Sequence, residues 1–131
     1  MSTQHGDIHW SELMTRDTAK ARAYFERTAG WTIEEMPMGD GEPPYLVCSA
    51  NGHPMAGIMD MNAPEFDGIP PNWTTFIHVD DVDLACAHTT EAGGQVMRAP
   101  FDVPVAGRIA IVADPTGAVV ALITPNDSQP Q

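Results

Sequence analysis

Trp10, Glu12 and Met14 alternate with Ser11 and Leu13 over a strand-length segment, so a strand there must send the two sets to opposite faces. Asp17 or Thr18 then stands where a helix N-cap belongs. Ala19, Ala23 and Tyr24 give the helix an apolar stripe, Phe25 flanks it, and Gly30 stops it. Three further strands are predicted, Trp31 to Met36, Tyr45 to Ala50 and Pro54 to Met61, separated by Gly39-Asp40-Gly41 and the tight-turn pair Asn51-Gly52. The second half reads the same way: strand Trp73 to Val79, helix Val82 to Ala92, and strands Gln95 to Ala99, Arg108 to Ala113 and Ala118 to Thr124, the last two joined by Asp114-Pro115-Thr116-Gly117. Each half is β-α-β-β-β.

The halves also repeat in register. Trp10 to Asp17 overlays Thr74 to Asp81 at an offset of 81 − 17 = 64, and Leu46-Val47-Cys48 to Gly52 matches Ile111-Val112-Ala113 to Gly117 once one residue of slippage is allowed. A motif of this length used twice predicts a pseudo-symmetric pair with a site between its halves. At 131 residues the chain is one domain, 1–131, with module one over about 8–61, a Pro-rich linker at 62–72, module two over about 73–125, and a frayed tail from Asn126 to Gln131.

Charge narrows the partners. Six basic residues against 18 acidic ones give a net charge of −12, which opposes binding to nucleic acid or to anionic membranes. No apolar run approaches the roughly 20 residues of a membrane span, and Met1 to Asp7 lacks signal-peptide character and, around His5, reads as a tail. Cys48 and Cys86 fall in an apolar strand and an alanine-rich helix, as small buried side chains of a cytoplasmic protein would. Phosphate-cradling Gly-rich loops, Cys-x-x-Cys, Gly-x-Ser-x-Gly and His-Glu-x-x-His are all missing.

The tandem modules, the Asp-led helix with Tyr24-Phe25 ending at Gly30-Trp31, the Val79-Asp80-Asp81-Val82-Asp83 opening of the second helix, and Asp114-Pro115-Thr116-Gly117 before the last strand resemble the vicinal oxygen chelate superfamily. Glyoxalase I, extradiol dioxygenases and the bleomycin and fosfomycin resistance proteins are of this kind. The resemblance implies an α+β fold in which two tandem modules form curled, open half-barrel sheets with helices on the outside, and it implies a homodimer. It also implies where a divalent metal would sit: one cavity-facing slot on the first and last strand of each module, here Trp10, Thr74, Ala56 and Ala121. An indole, two methyl groups and one hydroxyl make a poor ligand set, so no metal cofactor is expected.

Candidate chemistry centres on Glu12 and His78, which strand parity places on the cavity face two residues beyond Trp10 and four beyond Thr74. A desolvated Glu12 would be a general acid or base, with His78 assisting; both side chains also fit as polar anchors of an apolar pocket. Asp60, four residues beyond Ala56, completes a fallback metal triad of Glu12, Asp60 and His78. Trp10, Met14, Ala56, Thr74, Phe76, Ala121 and Ile123 would line the site. Arg108, beside the loop Pro100 to Pro104, would meet a ligand's carboxylate or phenolate. A Met and Trp lining suits a flat, mostly apolar small molecule. Three function classes remain open: a metal-free protein binding such a molecule, a lyase, isomerase or dioxygenase with relocated metal ligands, and a non-catalytic sequestration module.

Overall fold

The computed structural model describes residues 3–126, so most of the expected tail lies outside the described residues. The chain divides into two compact units, Trp10–Thr74 and a second that joins the residues ahead of Trp10 to those from Thr75 onward.

In the first unit, β1 (Ile8–Thr15) leads to α1 (Thr18–Thr28), β2 (Thr32–Met36), β3 (Tyr45–Ala50) and β4 (His53–Asp60). The strands lie in the order β2-β3-β4-β1, with β1 parallel to β4 and the other neighbours antiparallel. Asp17 caps α1, its carboxylate accepting from the Lys20 amide at 3.0 Å, a contact worth about 1 kcal/mol. One sheet face packs beneath α1: Leu13, Ile33, Leu46, Cys48, Ala56 and Ile58 bury against Ala21 and Phe25. Phe25 also stacks on Trp31, centroids 4.8 Å apart, with Trp73 edge-on at 5.6 Å. Phe25 and Trp31 thus serve the core, whereas Ala19, Ala23 and Tyr24, the expected apolar stripe, are exposed: the face of α1 turned to the sheet is that of Ala21 and Phe25.

The second unit repeats the plan. After a 3-10 turn at Pro64–Phe66 in the linker come β5 (Asn72–His78), α2 (Val82–Glu91), β6 (Gln95–Val103), β7 (Gly107–Ala113) and β8 (Val119–Pro125). The strand order is β5-β8-β7-β6, and β5 is parallel to β8. Asp81 caps α2 through the Leu84 amide at 3.1 Å, and Val79, Val82, Cys86, Ala110, Val112 and Leu122 form the core under it. Both cysteines are free and buried. No helix among the described residues is long and apolar enough to cross a membrane.

Three local expectations need correction. β6 runs on through Pro100 to Val103, where a loop was predicted. It is an edge strand with two register shifts against β7, which is where a residue lacking an N–H is tolerated. The N-terminal residues are paired: Gly6 donates to the His78 carbonyl at 2.7 Å, the His78 amide donates to the Asp7 carbonyl at 2.9 Å, and His5 accepts from the Asp80 amide.

The third correction concerns the repeat. Cys48 pairs with Ala56 but Ser49 pairs with Pro54, so Met55 is left over as a β-bulge, whereas β7 and β8 pair without interruption. The strand bodies therefore keep the offset of 64, with Cys48↔Ala56 matching Val112↔Val120. Only the turn glycines differ, by 117 − 52 = 65. Counting from the turn put Ala56 on the face of Trp10. In fact Ala56 pairs with Ser11 and sits in the core under α1, and Gly57, paired with Glu12, is the counterpart of Ala121, paired with Phe76. Because Ala56 is 2 % exposed, Ala56→Leu should overpack this core and cost about 1–3 kcal/mol in urea denaturation; a neutral effect would put residue 56 back on the open face.

Candidate functional site

β1 alternates, so Trp10, Glu12 and Met14 project from the sheet face opposite α1, together with Gly57 and Met59 of β4 and Tyr45 and Val47 of β3. Gly57 is the one residue on that face without a side chain, and the Tyr45 ring lies in the space this leaves. A Cβ built at Gly57 would fall on the Tyr45 hydroxyl and ring carbons. From there Tyr45 joins two neighbours. The Trp10 indole Nε1 donates to the Tyr45 hydroxyl at 2.9 Å, and that hydroxyl donates to Glu12 Oε1 at 2.8 Å. Glu12 Oε2 has no hydrogen-bond partner among the described residues. Among the described residues no fully buried side-chain nitrogen or oxygen lacks one, so Oε2 remains open to water or a ligand.

This setting changes the titration of both groups. Burial pushes the Glu12 carboxyl above the usual carboxylate range, and the Tyr45 hydrogen bond pulls only partly the other way. Burial, and then the Glu12 charge, drives the Tyr45 phenol well above its ordinary value, so it stays a neutral donor. Thr74, buried, is 3.0 Å from Asn72 Oδ1 and 4.0 Å from Met14 Sδ. Its single proton goes to the amide oxygen, the better acceptor.

In the second unit, Phe76, Ala121 and Ile123 share the face opposite α2, and all three are buried. His78 has its own partners: Thr3 Oγ1 lies 2.9 Å from His78 Nδ1 and 2.6 Å from His9 Nδ1. Burial first, and the His78 ring second, hold His9 below the ordinary imidazole value. Arg108 corrects another expectation. Its guanidinium grips both oxygens of Asp83 on α2 at 2.8 and 3.1 Å and Asp102 on β6 at 3.2 Å, on the helix side of the sheet. Asp83 is accordingly held below its ordinary value. A cleft of about 350 Å³, bordered by His5, Val79, Ala85, His88 and Leu122, also belongs to the helix side.

Asp60 departs from its expected place for the same reason as Ala56. It pairs with Thr15, three residues along from Glu12 and so on the other face, and its Oδ1 accepts from the backbone and side chain of Asn62. The residue that sequence reasoning missed is Tyr45. Its signal was Gly57, because a glycine inside a strand marks the close approach of another group.

A profile of the Glyoxalase/Bleomycin resistance protein/Dioxygenase superfamily matches residues 7–122. The chain belongs to this superfamily. It is 37% identical over 119 residues to "Putative glyoxylase CFP32" of Mycobacterium tuberculosis, an alignment covering 91% of the chain and 46% of that protein. It is 29% identical over 124 residues to "Anthracycline biosynthesis protein DnrV" of Streptomyces peucetius, covering 86% and 45%. The chain thus spans about half the length of the curated relatives it matches. Among solved structures it resembles the hypothetical protein BH1468 from Bacillus halodurans, with a TM-score of 0.72 at 7% identity over 98% of this chain and 100% of that one. It also resembles methylmalonyl-CoA epimerase from Mycobacterium tuberculosis, with a TM-score of 0.62 at 17% identity over 96% and 93%. At these identities the likeness concerns the fold alone.

The residues at the superfamily's metal slots do not fit a divalent cation. With the bulge taken into account they are Trp10, Gly57, Thr74 and Ala121: an indole, no side chain, a hydroxyl given to Asn72, and a methyl group. Among the described residues no group of three His, Cys, Asp or Glu side chains is arranged to hold one.

Two expectations follow for this glyoxalase-superfamily site. Because the folded-state pKa of Glu12 is raised, its contribution to stability is fully present below the unfolded value of 4.5 and is lost as pH rises through the folded value. Glu12→Gln, which keeps an oxygen to accept from Tyr45, should raise Tm by about 3 °C at pH 8, and the difference should close below pH 4.5, as calorimetry across pH would show. Gly57→Ala should displace the Tyr45 ring and cost about 2 kcal/mol. Adding it to Tyr45→Ala should cost much less, a non-additivity that a double-mutant cycle measures.

Proposed function

We propose that this chain binds a mostly apolar small molecule on the sheet face that carries Trp10, Glu12 and Met14, without a divalent metal, and that Glu12 exchanges a proton with it through Oε2. The observation that carries this reading is the Glu12 carboxyl itself: desolvated, held at one oxygen by Tyr45 and open at the other. A carboxyl whose pKa lies nearer neutrality than usual serves either as acid or as base, and the Trp10 and Met14 side chains beside it offer the flat, adaptable surface an aromatic ligand needs. The name of the Streptomyces relative, an anthracycline biosynthesis protein, supports a polycyclic aromatic ligand. His78 lies with Thr3 and His9, and its part is to bind ligand or steady that corner of the second module. The protein works in the cytoplasm as a homodimer, associating through the strand edges that β2 and β6 leave open.

The test begins with protein purified without chelator. Elemental analysis should find far less than one equivalent of metal, and zinc, nickel, manganese and iron should leave Tm within about 1 °C. A near-stoichiometric metal or a large concentration-dependent rise would overturn the metal-free reading. Planar aromatic and antibiotic-like compounds screened on the same protein should include stabilising ligands whose affinity falls about tenfold in Glu12→Ala, roughly 1.4 kcal/mol. Ligand binding unaffected by that substitution would remove Glu12 from the site.

A further inference from the structure

We propose that Trp10 and Tyr45 are positioning residues that confine the proton of Glu12 to its outward oxygen, Oε2. The inference rests on the reading that Glu12 handles a proton and adds where on the carboxyl that proton resides. The indole has a donor and no acceptor, so the 2.9 Å contact between Trp10 and Tyr45 has only one polarity: Nε1–H points at the phenol oxygen. A phenol oxygen so engaged still has one proton to place, and its other partner is Glu12 Oε1 at 2.8 Å. The phenol must therefore donate and Oε1 must accept. If Oε1 carried the carboxyl proton instead, the phenol would receive two donors and its own proton would have no acceptor in this half-buried setting.

The same arrangement depends on Gly57. With any side chain at that position the Tyr45 ring would be excluded from the sheet surface, and both hydrogen bonds would go with it. The strand slot that lacks a side chain is thus filled by a phenol from the neighbouring strand, and the phenol orients the carboxyl. A proton leaving a ligand's C–H or O–H bond, with the bonding pair remaining on the ligand, arrives at Oε2 and returns from Oε2. Proton exchange is limited to the one side of the carboxyl that faces away from Tyr45.

The test needs no knowledge of the ligand. Protein carrying ¹³C at the Glu carboxyl and Tyr Cζ positions is titrated by NMR, the Glu12 signal being identified by its loss in Glu12→Gln. Tyr45→Phe keeps the ring over Gly57 and removes only the hydroxyl. It should shift the Glu12 midpoint upward by about one pH unit, because the charged form loses its donor. Trp10→Phe should shift it upward by less, because the released phenol can then accept from a proton on Oε1. In the unsubstituted protein the Tyr45 Cζ signal should move with the same midpoint as Glu12, a check that survives if either variant fails to fold. A Tyr45→Phe midpoint unchanged or lowered, a Trp10→Phe midpoint equal to that of the unsubstituted protein, or a Tyr45 signal indifferent to Glu12 would each overturn the proposal. Shifts as expected in a protein that binds no ligand would retain the positioning and remove only the functional reading. Ligand binding through Glu12 without the shifts would do the reverse.

Discussion

A carboxylate on an otherwise apolar strand face must be given a partner, and the first module is arranged around that requirement. Glu12 stands between Trp10 and Met14 on the sheet face opposite the helix, where water is partly excluded. An unpaired carboxylate there would be costly, and it would lower that cost by taking up a proton. The chain supplies a neutral donor. A phenol comes across from β3, lies flat on β4 where Gly57 leaves room, and is held from behind by an indole of β1. One hydrogen-bond relay therefore joins β1 and β3 over the space that β4 leaves. Its direction follows from the indole having nothing to accept with.

The two modules show how one motif diverges in chemistry while its backbone is kept. At matching positions, Glu12 beside Gly57 in the first unit corresponds to Phe76 beside Ala121 in the second. One pair makes a polar relay and the other a buried apolar patch. Within the second unit, charge is gathered on the other face, where Arg108 ties α2 to β6 through Asp83 and Asp102. Such exposed pairs are screened by solvent and contribute little to stability. They do occupy Arg108, whose guanidinium, engaged with two carboxylates, is not offered to a ligand.

Much of the architecture was legible because it depends on neighbours in the chain. The caps at Asp17 and Asp81, the strand alternation from Trp10 to Met14, and the 64-residue repeat each follow from side chains a few positions apart, or from a pattern stated twice. Legibility failed where the deciding contact joined strands. Met55 bulges because β3 and β4 differ by one residue in the length between their pairings, and this reversed the faces inferred for Ala56 and Asp60. Strand parity has a period of two, so a single unpaired residue inverts every inference made from its far side. Pro100 misled for a related reason, since its tolerance depends on β6 being an edge strand.

By itself the sequence determined the α+β class, the paired β-α-β-β-β modules and the superfamily, because local periodicity, capping and repetition are properties of the chain alone. Only the tertiary structure decided what Glu12 touches. Tyr45 is 33 residues away, and its arrival depends on the pairing of β3 with β4, on the register of β4 with β1, and on the empty place at Gly57. A hydrogen bond requires two atoms within about 3 Å, and no pattern within one strand fixes a distance across three.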